Sequence, residues 1–439
     1  MIVYKFGGTS VGLPERMHKV AQIINKDSQK KIVVLSAVAG TTNTLVQIGE
    51  NLQLKKISDA QEKVHYLKNH YRNYIDHLYS TDEKKAEAKV ITDEIFETIS
   101  YIIKDDFSVE SEKKLLAQGE IISTNLFHLY LKEIGVSNLL INALDYMYIN
   151  EAGEPDFEII KGKLNSKLSS NPSVELFITQ GFICKNTEGK IDNLKRGGSD
   201  YSASIIGAVT ESSEVQIWTD IDGMHNNDPR IVRNTHPIAE LSFDEAAELA
   251  YFGAKILHPS SILPAQQYQI PVRLKNTMNE SAPGTLISKN SIKGSVKAIA
   301  AKDGITAIKI KSTRMLLAYG FLRKVFEIFE KYKTSIDMIT TSEVAVTLTI
   351  DNQTHLQSII AELEEFGYVE VDKDMTIICV VGNMVSETKG VVRKIFNSLS
   401  DIPIRMVSYG GSRYNISMLI NSGYKHEALN NLNQGLFDN

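Results

Sequence analysis

Cysteine is scarce in this chain of 439 residues: only Cys184 and Cys379 occur, far apart and in apolar, strand-like surroundings. Two such thiols make no disulfide framework and read as reduced core residues. No His/Cys cluster with metal-ligand spacing is present, and no Gly-x-Ser-x-Gly elbow, so neither a zinc site nor a serine nucleophile is expected. No apolar run approaches the length that crosses a bilayer. A long Lys/Arg run is also missing; pairs such as Lys30-Lys31, Lys84-Lys85 and Lys113-Lys114 read as solvated surface. With a net charge of -5, a nucleic-acid binder is not expected. Met1 to Phe6 has the character of a buried strand, not of a signal peptide. Together with reduced cysteines this points to the cytoplasm.

What is present is the composition of a soluble globular protein, 43% hydrophobic and 23% charged, in a length that suggests about two to four domains. From Met1 to about Leu286 the pattern is strand, Gly-containing turn, helix, repeated. Ile2–Phe6 is an apolar strand running into Gly7-Gly8, Pro14 to Asn25 has helical spacing, and Lys31–Val38 is a second β-branched strand. Such alternation predicts an α/β fold with a mostly parallel sheet sandwiched by helices, whose ligands bind at the carboxyl ends of the strands. Between Gly49 and Gly119 neither Gly nor Pro occurs, which predicts a helical insertion. After Ser288–Lys297 the character changes to strand, helix, two strands, helix. Arg323-Lys324-Val325-Phe326 then recurs as Arg393-Lys394-Ile395-Phe396, and the strand at Ser335–Ile339 as Arg405–Tyr409. An internal βαββα repeat implies two small modules able to pack together.

Six blocks carry the polar chemistry. Lys5-Phe6-Gly7-Gly8-Thr9-Ser10 lies where a strand meets a helix; it is either a tight turn or a phosphate cradle in which Lys5 neutralises transferring charge. Ser36 to Asn43 offers hydroxyls for a carboxylate, or a helix N-cap. Gln118-Gly119-Glu120 reads as a turn, with Glu120 either a ligand for an amine or a first-turn carboxylate. In Lys195-Arg196-Gly197-Gly198-Ser199-Asp200-Tyr201, Arg196 has the planar fork that suits a carboxylate, and Asp200 can hold lysine ammonium groups; the plainer alternative is a turn with an Asp cap. Trp218-Thr219-Asp220 through Gly223-Met224-His225 to Asp228-Pro229-Arg230 lacks the further acidic ligands of a calcium loop and suits a base and ribose. Phe252-Gly253-Ala254-Lys255-Ile256-Leu257-His258-Pro259 adds a second lysine, with His258 in a structural role. Positioning and charge neutralisation are what phosphoryl transfer demands of a protein.

These blocks, in this order and spacing, closely resemble the aspartate kinases of the amino-acid kinase family, over essentially the whole chain. The resemblance implies an amino-acid kinase fold over 1–290 (helical insertion about 50–118) and two α+β ACT domains of βαββαβ type, 300–372 and 373–439. It implies transfer of the ATP γ-phosphoryl group, with Mg²⁺ on the nucleotide and no dedicated metal cage, to the side-chain carboxylate of L-aspartate. That reaction begins lysine, threonine and methionine biosynthesis. Lys5, Asp200 and Lys255 are then catalytic, and Ser36, Thr42, Glu120, Arg196 and Ser199 hold aspartate. The nucleotide set comprises Lys5, Gly7, Gly8, Thr9, Ser10, Thr219, Asp220, His225, Arg230, Lys255 and Ile256. The C-terminal half is most similar to lysine-sensitive members, which implies L-lysine on Met315, Gly320, Phe321, Leu322, Ser335 and Asp337, and a homodimer or higher oligomer through the ACT domains. The chain departs from relatives at His225, where they carry Tyr, and at Ala318, where lysine-inhibited members carry Ser. With no Gly-x-Gly-x-x-Gly unit, a fused homoserine dehydrogenase is not expected. Two rivals remain: a kinase of the same fold acting on glutamate, acetylglutamate or carbamate, and a catalytically silent amino-acid sensor.

Overall fold

The computed structural model describes residues 1–194, 197–253, 257–290, 295–312 and 319–437. These group into two compact units, Met1–Met224 with Leu257–Lys289, and His225–Ile256 with Asn290–Asn439.

In chain order the first unit runs β1 (Ile2–Phe6), α1 (Pro14–Ile24), β2 (Lys31–Leu35), α2 (Thr41–Gln53), α3 (Ile57–Leu78), α4 (Asp82–Lys104), α5 (Val109–Glu133), β3 (Leu139–Ile141), α6 (Phe157–Ser169) and β4 (Leu176–Gln180). A small hairpin of β5 (Ile183–Lys185) and β6 (Ile191–Asn193) precedes α7 (Gly198–Val209) and β7 (Val215–Thr219). The chain then supplies β8 (Glu240–Ser242) and α8 (Phe243–Tyr251) to the second unit. It returns to the first with α9 (Leu263–Gln267), β9 (Val272–Asn276) and β10 (Thr285–Ser288).

The first unit's strands stand in the order β3-β4-β2-β1-β7-β9-β10, all neighbours parallel except β10 on β9. Central strands β1 and β2 are buried on both faces, as parallel sheets covered by helices require. The two-residue pleat of β1 sends Tyr4 and Phe6 into one core with Val33, Leu35 and residues of α1 to α5. Lys5 therefore points to the opposite face, where α7 packs on β1. The stretch free of Gly and Pro forms three long helices, and the third, α5, runs through Gln118-Gly119-Glu120 without a break. The turn expected there does not exist. One glycine costs a helix only about 1 kcal/mol, which the burial of Leu115, Ile122, Leu126 and Phe127 readily offsets. Strand β2 likewise ends at Leu35, short of the expected Val38, because the backbone turns at Ala37 toward the carboxylate of Glu120.

The second unit continues with β11 (Val296–Lys311), α10 (Phe321–Lys331), β12 (Ile339–Thr341), β13 (Ala345–Ile350), α11 (Leu356–Glu364), β14 (Tyr368–Gly382), α12 (Val391–Ser398), β15 (Ile404–Ser408), β16 (Asn415–Asn421) and α13 (Lys425–Leu436). One six-stranded sheet, β12-β13-β11-β14-β16-β15, carries two separate cores. Ile308, Ile310, Val346 and Leu348 pack under α10 and α11. Ile299, Ile378, Val380 and Met418 pack under α12 and α13. The long strands β11 and β14 serve both, and their register shifts between Lys302 and Ala307, where one core gives way to the other. The repeated tetrapeptides acquire a physical meaning here. Val325 and Ile395 are fully buried while Phe326 and Phe396 are exposed, and both helices open on a left-handed glycine, Gly320 and Gly390. The first copy's short strand starts at Ile339, later than the expected Ser335, because the Thr349 side chain takes the N–H of Met338.

Leu348→Ala removes a fully buried side chain from one of these cores, and the change should lower stability by about 2–5 kcal/mol. A denaturant titration followed by circular dichroism checks this.

Candidate active site

The carboxyl ends of β1, β2, β4 and β7 are parallel neighbours and open on one edge of the first unit's sheet. Lys5 occupies that edge with its ammonium 2.6 Å from Oδ1 of Asp200. Asp200 lies in the first turn of α7, where unpaired backbone N–H groups favour negative charge. Two glycines make that placement possible. A Cβ on Gly181, just after β4, would stand 2.4 Å from the Ser199 side chain, and one on Gly197 would stand 2.7 Å from that of Ser261. Gly197 also opens α7 at φ 85, a conformation L side chains rarely adopt. The helix cap is therefore Gly197, and Asp200 is left to pair with lysine.

Glu120 approaches from α5. Its side chain is almost completely buried, and Oε1 accepts a 3.2 Å hydrogen bond from the Ala37 N–H. Gly119 permits the approach, since a Cβ there would come within 2.8 Å of that of Ala37. The other carboxyl oxygen, Oε2, has no partner. Burial raises the Glu120 pKa from 4.5 to about 7, against the opposing pull of the Ala37 N–H and the Lys5 charge. A buried carboxyl with one oxygen unsatisfied, close enough to feel Lys5, is a docking point for a cation that brings its own donors.

Around this pair the backbone packs closely at its glycines. Gly7 donates its N–H to the Trp218 carbonyl. A Cβ on Gly8 would press to 3.0 Å on the Ala37 carbonyl oxygen. Ser10 is buried and faces inward, its hydroxyl 2.7 Å from that of Thr277. Ser36 is half-buried at the end of β2, its carbonyl accepting from the Ser123 hydroxyl. Thr42 is half-buried in the first turn of α2, whose cap is the left-handed Gly40 and not a hydroxyl residue. Thr219 closes β7 and donates to Asp220 at 3.0 Å.

Models of two families match the chain, the amino acid kinase family over residues 1–276 and the ACT domain over 378–436. The lysine-sensitive aspartokinase 3 of Escherichia coli is 34% identical across 100% of this chain and 99% of its own length. A chloroplastic aspartokinase 3 of Arabidopsis thaliana is 36% identical across 99% of this chain and 81% of its own length. Crystal structures of E. coli aspartokinase III, one with aspartate and ADP and one with lysine and aspartate, superpose at TM-score 0.84 with 34% identity. They cover 100% of this chain and at least 99% of their own. The chain belongs to the aspartokinases of the amino acid kinase family.

For a member of that family, the structure brings together Lys5, Gly7, Gly8, Ser36, Glu120, Ser199 and Asp200. Arg196, Lys255 and Ile256, and Met315 of the effector set, lie outside the described residues, as does Ala318. Thr219 and Asp220 belong to the first unit, His225 and Arg230 to the second. His225 is half-buried against Thr235 at 3.0 Å, and Arg230 forks onto Asp228 at 2.9 and 2.7 Å. His258 caps a short turn by accepting from the Ser260 N–H. In the second unit Gly320 and Phe321 open α10, with Leu322 exposed beside them, and Ser335 is exposed. The Asp337 side chain is 1% exposed and already carries a partner, the ammonium of Lys302 at 2.7 Å. The sequence reading missed Gly181 and Thr277, which position Ser199 and Ser10. Gly181 follows a buried strand directly and was legible as a close-approach glycine; Thr277 meets Ser10 across 267 residues and had no local signal.

A raised carboxyl pKa favours the folded state below the unfolded value and loses that contribution as pH climbs through the folded one. The move from 4.5 to about 7 corresponds to roughly 3 kcal/mol of strain once Glu120 is ionised. Glu120→Gln should accordingly stabilise the protein at pH 8 by on the order of 1–3 kcal/mol and have little effect at pH 5. Thermal unfolding of both proteins at the two pH values decides it.

Proposed function

We propose that this chain phosphorylates the side-chain carboxylate of L-aspartate with Mg-ATP, giving 4-phospho-L-aspartate and ADP. The observation that carries the reading is the Lys5–Asp200 ion pair set beside the buried Glu120 carboxylate at the strand ends. Glu120 receives the α-ammonium of aspartate, which supplies the donors that Oε2 lacks. Ser36, Thr42, Ser199 and Arg196 hold the carboxylates, leaving the side-chain carboxylate free to attack the γ-phosphorus. Lys5 meets the negative charge on the transferring oxygens, and Asp200 holds its ammonium in place. Gly7, Gly8, Thr9 and Ser10 run beside the phosphates, and the two glycines leave room for their close approach. Thr219 and Asp220, where β7 ends, lie with them in the nucleotide site. Mg²⁺ carried in with ATP would supply part of the charge neutralisation of the leaving ADP, a role Lys255 would share.

The C-terminal modules, 300–372 and 373–439, provide regulation by L-lysine, the effector ammonium resting on Asp337 and its carboxylate on the backbone at Gly320–Leu322. Exposed Leu322 and Phe326 on α10 give the modules an apolar face for self-association into a dimer or larger assembly. Buried free Cys184 and Cys379 suit the cytoplasm, and the reaction places the protein at the entry to lysine biosynthesis.

The test is ADP release at fixed Mg-ATP while L-aspartate is titrated, with and without L-lysine. Saturable dependence on aspartate, suppressed by lysine, is expected; no aspartate-dependent ADP removes the reading and leaves another acceptor or a sensor. Asp200→Asn should lower kcat by about 10²–10³-fold, the scale of losing one charge-stabilising group in a dry site, with a smaller change in aspartate KM. Steady-state kinetics of the folded variant checks it.

A further inference from the structure

Asp337 is read above as the seat of an effector ammonium, yet a cation of the chain itself rests against it. Lys302, at the point where β11 passes from one core to the other, reaches Asp337 Oδ1 at 2.7 Å and Asp351 Oδ2 at 2.9 Å. Its ammonium also lies 4.5 Å from the centre of the Tyr251 ring, and the Tyr251 hydroxyl donates to the same Asp337 Oδ1 at 2.7 Å. Asp337 Oδ2 is buried without a partner. Asp337 borders a cavity of about 220 Å³ lined also by Glu248, Tyr251, Met338, Ser412 and Asn415.

We propose that Lys302 is an intramolecular competitor for the effector's ammonium at Asp337, and that it sets the effector concentration to which the protein responds. The inference rests on the reading of Asp337 as an effector contact and adds to it the residue that opposes binding. Three features carry it. A carboxylate 1% exposed needs a cation, whereas Asp351 is 43% exposed and solvated; Lys302 therefore matters most to Asp337. With Lys302 in place the site is largely neutralised, and a second ammonium meets like-charge repulsion. Asp351 gives Lys302 somewhere to go, so its release from Asp337 strands no charge, and the unpartnered Oδ2 offers a bound ammonium a further acceptor. The exchange is felt at Tyr251, the last residue of α8, directly before the Phe252-Gly253-Ala254-Lys255 block. Lys302 is a positioning residue for the regulatory carboxylate and touches neither substrate.

The experiment measures L-lysine binding by calorimetry at pH 8 to the full-length wild type, Lys302→Met and Lys302→Arg, with aspartate-dependent ADP release recorded in parallel. Lys302→Met, which keeps the stem and removes the charge, should bind L-lysine about tenfold more tightly, because the ligand then supplies the only cation for a buried carboxylate. Lys302→Arg should bind like wild type, and adding Asp337→Asn to Lys302→Met should abolish the gain. If Lys302→Met does not fold, Lys302→Gln carries the same expectation. Equal or weaker lysine binding by the uncharged variant, with wild-type binding intact, overturns the proposal and leaves the effector reading standing. Absence of lysine binding in both, with aspartate-dependent ADP release preserved, removes the effector reading and the proposal together.

Discussion

A lysine near the end of a doubly buried parallel strand is the constraint around which the first unit is organised. The strand Ile2–Phe6 has no solvent face, so the ammonium of Lys5 must leave through the strand's end and must meet a negative charge there. Asp200 supplies it only because α7 begins where it does. That start depends on a left-handed Gly197, on Gly181 leaving room for Ser199, and on the opposite pleat of β1 being filled by Tyr4 and Phe6 against Trp218. Exchange the faces of β1 by one residue and Lys5 would point into the apolar core under α1 to α5.

Glu120 shows how the same edge stores unspent interaction. Stabilising a fold and preparing a site make opposite demands on a buried carboxyl: the first wants every oxygen satisfied, the second wants one left open. Here the Ala37 N–H satisfies one oxygen and nothing satisfies the other. Burial answers by lifting the pKa to about 7. The group is therefore close to its ionisation point near neutral pH, where an arriving cation shifts it toward the carboxylate. Charge complementarity that appears only on binding contributes to affinity without being lost to a permanent internal partner.

Much of this was legible in the chain, for reasons that differ by element. Lys5, Gly7 and Gly8 could be read because a strand, a Gly-Gly turn and a helix follow one another within a few residues, so local order fixes their juxtaposition. Asp200 could be read as a partner for lysine from its position after two glycines, although only the topology, with β1 beside β7 and α7 between them in sequence, says which lysine. Glu120 was found for its chemistry and misplaced in structure. A glycine beside it suggested a turn, whereas its physical use is to let a continuous helix approach the Ala37 backbone. The repeat of Val325 and Ile395 could be read because buried positions constrain residue type. Thr277 against Ser10, Thr349 against Met338 and Lys302 against Asp337 could not, since each pairs residues brought together by sheet register and marked by no local pattern.

Lys5 and Lys302 are the same device under different terms. Each projects from a long-range paired strand, β1 or β11, onto an aspartate of a neighbouring element, and each ion pair is largely withdrawn from water. What separates them is the number of alternatives. Asp200 sits at a helix N-terminus whose dipole holds its charge in place, and it is the carboxylate against which the Lys5 ammonium rests. Lys302 divides itself between a buried and an exposed carboxylate and lies over an aromatic ring. A pair in which the ammonium meets one carboxylate among the described residues is held to one geometry, which suits a group that must meet a transition state. A pair with an alternative costs little to rearrange, which suits a group whose partner is to be taken by a ligand. The energetic distinction between a catalytic lysine and a regulatory one can thus lie in the carboxylates offered to it, with the side chain itself unchanged.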